Sequence, residues 1–524
     1  IHDRPRFPWR GLMLDVARHW MPPAVILRNL DAMAAVKLNV FHWHLTEDQG
    51  FRVESKVFPK LQQLGSDGLF YTQDEVREVI AYARDRGIRV VPEFDVPGHS
   101  TSWFAGHPEL ASAPGPYKPE RRYGVFDAAM DPTREETYKF LDRFLGEMAA
   151  LFPDAYMHVG GDEVTGKHWR LNAQIQAFMA KNNLADKHAL QAYFNRRLSQ
   201  IVQKHGKRMV GWDEILHPDL PKDTVVQSWR GPKSLAEGAR QGFPGILSNG
   251  YYLDHLLPAE THYLNDPLPE GSGLSEAEAA RVLGGEACMW GEYVGPENID
   301  SRIWPRAAAI AERLWSPREV RDVEDMYRRL SVVSVQLEEL GLTHRTNPAK
   351  MLRRLAGGEG IRPLETLAGA LAPKFFEREK VRPITQLTPL TRLVDAATPD
   401  PAPAREFASS VKTLLEDAPR FRDARERVRA QLEEWRAVYP PVRVMADRSP
   451  LMRDAEPLAR DLSELSAAGL EALDYLSAGL APTTEWREEK LALIERAGKN
   501  NSELGLAVLP SLRLLFVAAA EAKK

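Results

Sequence analysis

The stretch YMHVGGDEVTGKHW, residues 156–169, begins like a buried strand and changes character at two glycines. Its first residues include Tyr, Met and Val, which are common in strands. Gly160 and Gly161 tolerate backbone angles that other residues avoid, and Asp162 and Glu163 follow side by side. A strand that ends in a Gly-Gly bend and two adjacent carboxylates indicates a place where the chain presents reactive groups.

Apolar runs of this kind alternate with helical patterns through the first 320 residues. Residues 22–38 open with two prolines and carry apolar side chains at helical spacing, and residues 72–87 open with Thr72 and Glu75 in capping-box spacing. Eight strand–helix units in this order predict an α/β fold, a (β/α)8 TIM barrel. The predicted strands are RGLMLDVAR, NVFHWHLT, IRVVPEFDVPGH, YMHVGGDE, RMVGWDE, TVVQSWR, GILSNGYYLD and GGEACMWGE.

The pattern changes after a long predicted helix, Val323 to Gly341. The stretch ATPDPAPAR, residues 397–405, predicts a linker or a tight loop, and residues 406–522 show leucine stripes with charged faces. We therefore predict a catalytic barrel over residues 1–345 and a C-terminal α-helical domain over residues 346–524. We expect this helical domain to serve packing or homodimerisation rather than chemistry.

The overall composition excludes several classes of partner. The chain has 524 residues and a formal net charge of −4, so it lacks the basic surface of a nucleic-acid-binding protein. No apolar run reaches the length of a membrane span. The single cysteine, Cys288, forms no intrachain disulfide, which suits a reducing compartment without excluding export. The chain begins IHDRPRF, without Met or a signal-like apolar stretch, so we expect its start to have been processed or trimmed.

Charged and aromatic side chains occur at the end of every predicted strand, which is where TIM-barrel enzymes carry their chemistry. Indole rings cover the apolar C–H faces of a sugar, and carboxylates accept hydrogen bonds from its hydroxyls. The set therefore predicts a carbohydrate-binding pocket without a cofactor. Its members are Asp15, Arg18, His42, His44, Glu47, Asp48, Asp95, His99, Asp162, Glu163, Trp212, Trp229, Tyr252, Asp254, Trp290 and Glu292.

Two other functions use the same residues. His42, His44, His99 and Asp95 could ligate the metal of an amidohydrolase or deacetylase on the same barrel, although the three tryptophans would then lack a purpose. A non-catalytic carbohydrate-binding protein on a decayed enzyme fold is the second alternative, but both acids are present. Taken singly, the tryptophans are more often core residues, and the two histidines of strand two more often form hydrogen bonds inside the barrel.

The motifs together resemble glycoside hydrolase family 20, the β-N-acetylhexosaminidases. The resemblance implies a retaining exo-glycosidase that removes terminal β-linked N-acetylglucosamine or N-acetylgalactosamine, with a disaccharide-releasing specificity as the alternative. It further implies no metal, no cofactor and an exported bacterial enzyme, periplasmic or secreted. The matching pieces, spread over residues 5–320, are RGLMLDVARHW, KLNVFHWHLTEDQGF, PEFDVPGH, HVGGDEV, GWDE, QSWRG, GGEACMWGEYV and IWPRAAAIAERLW.

In that family the substrate supplies its own nucleophile, because the 2-acetamido oxygen attacks C1 and forms an oxazolinium intermediate. By resemblance, Glu163 is the general acid/base, and Asp162 orients and polarises the acetamido group. We expect a raised pKa for Glu163 beside an ionised Asp162. We also expect Asp95 and His99 to form a pair that tunes the proton transfer.

The resemblance assigns the other site residues position by position. Arg18 holds O3 and O4 of the sugar. The indoles of Trp212, Trp229 and Trp290 enclose the acetamido methyl group. The hydroxyl of Tyr252 donates a hydrogen bond to the acetamido oxygen and holds it for attack.

Two further carboxylates, Asp254 and Glu292, bind O6 and O4 by the same resemblance. Glu47 departs from the family, since many relatives have Asp at this position and the extra methylene moves the carboxylate. The family's usual upstream α+β domain is also absent, so either it was removed or this branch does without it. The Pro- and Gly-rich loop Glu109–Val125 is expected to form part of the entrance for the leaving group.

Overall fold

Eight parallel strands form a closed barrel in the computed structural model, which describes residues 3–416, 421–499 and 502–521. Each strand pairs with the next along the chain, and the first pairs with the last, which confirms the predicted TIM barrel. The strands are β1 (Trp9–Asp15), β2 (Val40–His44), β3 (Arg89–Glu93), β4 (Tyr156–His158), β5 (Arg208–Trp212), β6 (Val225–Ser228), β7 (Gly245–Leu247) and β8 (Val282–Met289).

Helices alternate with these strands, as the periodicity predicts. The predicted capping box is present, because Thr72 accepts from the Glu75 backbone N–H and Glu75 accepts from that of Thr72. The α-helices of this part are Pro23–Ala35, Lys60–Gly65, Gln73–Arg84, Thr101–Gly106, Glu135–Leu151, Lys167–Leu171, Ala173–Lys181, Lys187–Lys204, Pro232–Arg240, Ala259–Leu264, Glu276–Ala279, Ile299–Ile303, Arg306–Trp315 and Val323–Glu339.

Side chains that point into the barrel form three layers. The lowest layer is apolar and the uppermost is aromatic, while the middle one is polar, with every member 0–1% exposed. Gly11 makes room for the middle layer, since a Cβ there would lie 2.2 Å from Glu286 Oε2. The apolar layer contains Trp9, Val40, Val91, Val210, Val225 and Ile246, and the polar layer contains His42, Glu93, His158, Gln227 and Glu286.

Two strands are shorter than predicted. β4 ends at His158, because the glycines that follow adopt positive φ angles that break the extended chain. β7 ends at Leu247, and the residues after it form turns rather than more strand. Tyr252 makes only an isolated bridge to Cys288, and Leu253–His255 is a turn of 3₁₀ helix. The predicted strand ends at Tyr252 and Asp254 therefore lie in a loop.

The contacts group the chain into two compact units. The first comprises the described residues up to Asp254, then Ala259–Leu342 and Ile384–Thr388. The second comprises His255–Pro258, Thr343–Pro383 and the described residues from Pro389 onward. No helix among the described residues is long and apolar enough to cross a membrane.

The second unit is mainly helical around its own apolar core, as the leucine stripes predict. The predicted linker, residues 397–405, lies inside this unit, where its first half joins two helices. Two short strands, Leu371–Pro373 and Leu504–Leu506, pair antiparallel. The α-helices are Thr346–Ala356, Arg362–Ala368, Arg378–Val381, Leu393–Ala396, Ala402–Glu416, Phe421–Arg436, Tyr439–Arg448, Ala455–Ala478, Thr484–Gly498 and Leu509–Glu521.

Candidate active site

The turn after β4 holds the two adjacent carboxylates apart. Gly160, Gly161 and Glu163 have φ angles of 67°, 94° and 51°, all in the left-handed region. A Cβ on Gly160 would lie 1.8 Å from Asp95 Oδ1, so only glycine fits against that carboxylate. The resulting bend turns Asp162 inward, with its side chain 13% exposed, and leaves the side chain of Glu163 37% exposed.

This difference in depth sets the pKa values of the pair. Burial raises the pKa of Asp162 to about 7, and the charge of Glu214 acts in the same direction. A hydrogen bond with His99 lowers the pKa of the Glu163 carboxyl below its usual value. The expectation of a raised Glu163 pKa beside an ionised Asp162 is therefore wrong for this structure. The sequence places the two acids next to each other but does not reveal which one lies deeper.

His99 connects the acid pair to Glu47. Its Nδ1 lies 3.0 Å from Glu47 Oε2, and its Nε2 lies 3.5 Å from Glu163 Oε2 and 3.7 Å from Asp162 Oδ2. Although burial alone would lower it, the negative charges of Glu47 and Asp162 hold the pKa of His99 well above its usual range. The hydrogen bond of His99 Nδ1 thus goes to Glu47, while the two residues of the expected pair, Asp95 and His99, place ligand atoms within 4.8 Å of each other and of Asp162.

Asp95 instead supports the turn that carries the two acids. Its Oδ1 accepts a hydrogen bond from the Gly161 backbone N–H at 3.1 Å, and its own N–H donates to Thr46 Oγ1 at 3.0 Å. Complete burial and the charge of Asp162 hold the pKa of Asp95 well above its usual range. Two charged carboxylates at this depth would repel each other, so ionisation of Asp162 favours the neutral form of Asp95.

Arg18 lies at the centre of a group of carboxylates at the barrel mouth. Its guanidinium contacts Asp15 Oδ2 at 3.0 Å, Glu47 Oε1 at 2.8 Å and Glu292 Oε1 at 3.5 Å. The same group lies 5.0 Å from the ring centre of Trp290. Three carboxylates and an aromatic face fix the orientation of the guanidinium, so its remaining N–H groups have a defined direction.

The predicted tryptophans lie together above the polar layer. The ring centres of Trp212 and Trp290 are 5.6 Å apart, and that of Tyr252 is 6.2 Å from Trp290. The Trp229 indole N–H donates to Glu214 Oε2 at 3.1 Å, which fixes the edge of that ring. All four rings belong to one apolar cluster. These residues therefore offer an aromatic recess for a small apolar group such as a methyl.

Asp254 and Glu292 also lie at the barrel mouth, and each has a raised pKa. Burial is the main cause in both cases. For Asp254 the neighbouring charge of Glu292 adds to the effect, and for Glu292 the guanidinium of Arg18 opposes it. Both side chains carry oxygen atoms that can form hydrogen bonds with the hydroxyls of a sugar.

His42 and His44 belong to a hydrogen-bonded network beneath the indoles. His42 Nε2 lies 2.8 Å from Glu93 Oε2 and its Nδ1 lies 2.6 Å from Glu286 Oε1, while His44 Nδ1 lies 2.5 Å from Glu93 Oε2. Among the described residues, none of the groups with metal-ligand spacing brings these two histidines together with His99. The alternative metal set from the sequence is therefore not assembled here.

Residues 7–318 match the model of a family described as "Glycosyl hydrolase family 20, catalytic domain". The chain belongs to glycosyl hydrolase family 20. The resemblance inferred from the motifs is therefore confirmed, and the matched range contains every site residue predicted above.

Relatives within family 20 include proteins from animals and bacteria. Beta-hexosaminidase subunit beta of Mus musculus is 41% identical over 354 residues, which is 65% of this chain and 65% of the relative. The X-ray structure of the Flavobacterium johnsoniae chitobiase has a TM-score of 0.92 at 43% identity and covers 98% of this chain and 78% of that chain. A Vibrio harveyi GH20 exo beta-N-acetylglucosaminidase, solved in complex with N-acetylglucosamine, has a TM-score of 0.59 at 35% identity, over 66% of this chain and 60% of that chain. The chain thus spans about 65% of the length of the mouse relative.

Three residues of this family 20 site escape the motif reasoning. Glu93 accepts the Trp212 indole N–H at 2.9 Å, Glu286 accepts that of Trp9 at 2.9 Å, and Glu214 accepts that of Trp229. Glu93 and Glu286 sit at inward positions of mainly apolar strands, and a charge at such a position is the signal that identifies them. Glu93 and Glu214 thus hold two indoles of the aromatic recess, whereas Glu286 holds Trp9 of the apolar layer.

Proposed function

We propose that the chain is a retaining exo-β-N-acetylhexosaminidase that removes terminal β-linked N-acetylglucosamine or N-acetylgalactosamine by substrate-assisted catalysis. The observation that carries the proposal is the placement of the two adjacent acids. Asp162 faces inward near the indole cluster, and Glu163 faces the more open side within reach of His99. One acid can thus serve the acetamido group while the other serves the glycosidic oxygen.

In the first step, the acetamido oxygen of the substrate forms a bond to C1 as the bond from C1 to the leaving oxygen breaks. Glu163 donates its proton to the leaving oxygen, and the ionised Asp162 stabilises the positive charge that develops on the acetamido nitrogen. Tyr252 donates to the acetamido oxygen and holds it in line with C1. In the second step, the Glu163 carboxylate takes a proton from water, which attacks C1 and reopens the oxazolinium ring with retention.

In our proposal, substrate binding changes the pKa values of both acids. A sugar over Glu163 covers a carboxyl group that is 37% exposed, and this loss of water raises its pKa toward the value that a general acid needs. The acetamido N–H donates to Asp162, and a hydrogen bond to the charged form favours ionisation of that buried group. Binding therefore brings both acids to the states that the first step uses.

The remaining mouth residues fix the sugar. Arg18 donates to O3 and O4, and Asp254 and Glu292 bind O6 and O4. The indoles of Trp212 and Trp290, with Trp229 beside them, enclose the acetamido methyl group. Glycosyl hydrolase relatives described as a chitobiase and as an exo beta-N-acetylglucosaminidase support this choice of substrate. A disaccharide-releasing specificity is the alternative within the family.

The deciding experiment compares nitrophenyl β-glycosides with and without the 2-acetamido group. We expect rapid hydrolysis of the N-acetylglucosaminide and almost none of the plain glucoside, because the latter lacks the internal nucleophile. A thiazoline mimic of the intermediate should inhibit tightly. Equal rates on both glycosides, or activity that the thiazoline does not inhibit, would contradict the mechanism. Loss of activity in EDTA would favour the metal-dependent amidohydrolase or deacetylase.

Variants of the two acids separate their roles. Glu163→Gln should lose most activity on substrates with poor leaving groups and much less on nitrophenyl substrates, which need little protonation. Asp162→Asn should lower turnover on both, because charge stabilisation is needed whatever the leaving group. The opposite pattern would exchange the two assignments.

We also propose that the enzyme acts outside the cytoplasm, in the periplasm or after secretion, and that it forms a homodimer. Support for the first point comes from the family resemblance together with a bacterial relative that matches 98% of the chain. Fractionation of producing cells and sedimentation of the purified protein test the two points separately.

A further inference from the structure

The segment Ile384–Thr388 belongs to the barrel unit, although it lies far along the chain from the family motifs. Its half-buried Gln386 contacts two loops of the barrel mouth. The side-chain amide Nε2 donates to the carbonyl oxygen of Arg18 at 2.9 Å and to that of Gln49 at 3.1 Å. One carboxamide thus joins the turn that carries Arg18 to the hairpin that carries Glu47.

The other atoms of Gln386 are tied to a third loop. Its backbone N–H donates to the Arg121 carbonyl oxygen at 2.7 Å, and its Oε1 accepts from Arg121 Nη1 at 2.5 Å. The Arg121 guanidinium is itself held by Asp67 at 2.5 and 2.8 Å. Donor and acceptor of the carboxamide are therefore both used, which fixes the side chain in one orientation.

The hairpin that carries Glu47 and the loop that carries Arg121 also contact each other near Gln386. Gln49 Nε2 donates to the Arg122 carbonyl oxygen at 2.7 Å, and the Glu120 backbone N–H donates to the Asp48 carbonyl oxygen at 2.9 Å. The first of these contacts joins a side chain to the main chain, the second joins two main-chain groups, and neither involves Arg18. Gln386 connects these loops to the Arg18 carbonyl directly, while the Arg18 backbone N–H donates to Asp15 Oδ1 at 3.0 Å.

We propose that Gln386 is a positioning residue for the sugar-binding guanidinium of Arg18. By holding the Arg18 carbonyl, it fixes the main chain from which the side chain extends toward O3 and O4. A shift of the guanidinium by a fraction of an ångström weakens those hydrogen bonds. The inference rests on the proposed function, because it assigns Gln386 to the same substrate site.

The position of Arg18 should matter most for O4, whose orientation distinguishes N-acetylglucosamine from N-acetylgalactosamine. Loss of Gln386 should therefore change the preference between these two sugars as well as the rate. A residue that merely stabilises the fold would lower both rates equally. This preference is the readout that separates positioning from a general loss of stability.

The experiment uses the full chain and three variants. Gln386→Met keeps the length and removes both hydrogen-bonding groups, whereas Gln386→Glu keeps the acceptor for Arg121 and turns a carboxylate oxygen toward the two carbonyls. Leu387→Ala, which trims a neighbouring side chain that is 70% exposed, is the matched control. For each, kcat and KM are measured on nitrophenyl β-N-acetylglucosaminide and β-N-acetylgalactosaminide, together with the melting temperature.

We expect Gln386→Met to lower kcat/KM by about tenfold, and Gln386→Glu by more, because a misplaced binding group costs rate steeply. The ratio between the two sugars should shift by roughly threefold or more, while Leu387→Ala leaves rate and ratio unchanged. An unchanged ratio in both Gln386 variants, or an equal effect of Leu387→Ala, would overturn the inference. If the wild type is inactive on both acetamido substrates, the proposed function and this inference are both wrong. If the wild type is active and the Gln386 variants behave like it, only this inference is wrong.

Discussion

Replacing Gly160 with alanine tests the idea that the bend after β4 sets the two acids. The added Cβ would lie 1.8 Å from Asp95 Oδ1, 2.1 Å from its Cγ and 2.8 Å from its Cβ. Carbon and oxygen atoms need about 3.4 Å or more, so either the turn or the Asp95 side chain must move by well over about 1 Å. Asp95 is fully buried, so the displaced side chain has no solvent to move into directly.

The expected cost has two parts. Alanine in the left-handed region, at the Gly160 φ of 67°, costs about 1–2 kcal/mol. Displacing Asp95 from the Gly161 N–H leaves a buried donor unsatisfied, which costs about 1–3 kcal/mol more. We therefore expect Gly160→Ala to lose roughly 2–5 kcal/mol of unfolding free energy. Since a shift of about 1 Å at the acid pair costs on the order of 100-fold in rate, kcat should fall by about that factor.

The assay measures kcat on nitrophenyl β-N-acetylglucosaminide and the free energy of unfolding in urea. Gly206→Ala is the control, because Gly206 has a similar φ of 73° but no atom within 4 Å of an added Cβ. It should show only the backbone cost, with kcat unchanged. If Gly160→Ala kept its kcat within about threefold and lost no more stability than Gly206→Ala, the clash with Asp95 would not control the site.

Two further changes test the recess and the depth of the buried acid. Trp212→Phe removes the indole N–H that Glu93 accepts, so we expect a loss of about 1–3 kcal/mol of stability and a KM raised by about tenfold from the loosened methyl recess. Glu214→Gln removes a charge that raises the Asp162 pKa of about 7. In the proposed mechanism Asp162 works as the anion, so kcat/KM falls as pH drops through its pKa, and this acid limb should move to lower pH in the variant.

Each of these changes has a matched control. Trp169→Phe also removes a buried indole donor, here to the Met130 carbonyl at 2.9 Å, and should lower stability without raising KM. Glu237→Gln removes a carboxylate whose hydrogen-bond partner is the neighbouring Gln241, and should leave the pH profile unchanged. A KM effect in Trp169→Phe, or an acid limb that stays in place in Glu214→Gln, would contradict the reasoning.

The fold and most of the site follow from sequence patterns because those patterns report on shared geometry. Apolar runs alternating with helical periodicity predict the barrel, and parallel strands end at one edge, so residues after different strands must meet there. That logic brings Arg18 and Trp290 together although they lie far apart in the chain. The same logic does not predict quantities that depend on how deeply a side chain is buried, such as which of Asp162 and Glu163 has the higher pKa. A single bend of the main chain decides which of the two carboxyl groups faces water.

Gln386 marks a second limit of sequence reasoning. It lies outside the family motifs, in a segment flanked by residues of the other unit, so no periodicity or spacing links it to the barrel mouth. Its role emerges only from two carbonyl oxygens that its amide contacts. Residues at strand ends are predictable because the strand–helix unit repeats eight times around the barrel. The segment Ile384–Thr388 is not part of this repeat, so the repeat does not predict its contact with the barrel mouth.

Glu47 shows how structure resolves a departure that sequence alone leaves open. The side chain folds back, so that Oε2 accepts the N–H of its neighbour Asp48 at 2.9 Å while also facing His99 at 3.0 Å. Its Oε1 contacts Arg18 at 2.8 Å. The extra methylene is therefore taken up by a bend toward the side chain's own backbone. The carboxylate links Arg18 to His99 beside the proposed general acid, so the longer Glu side chain still joins these two residues.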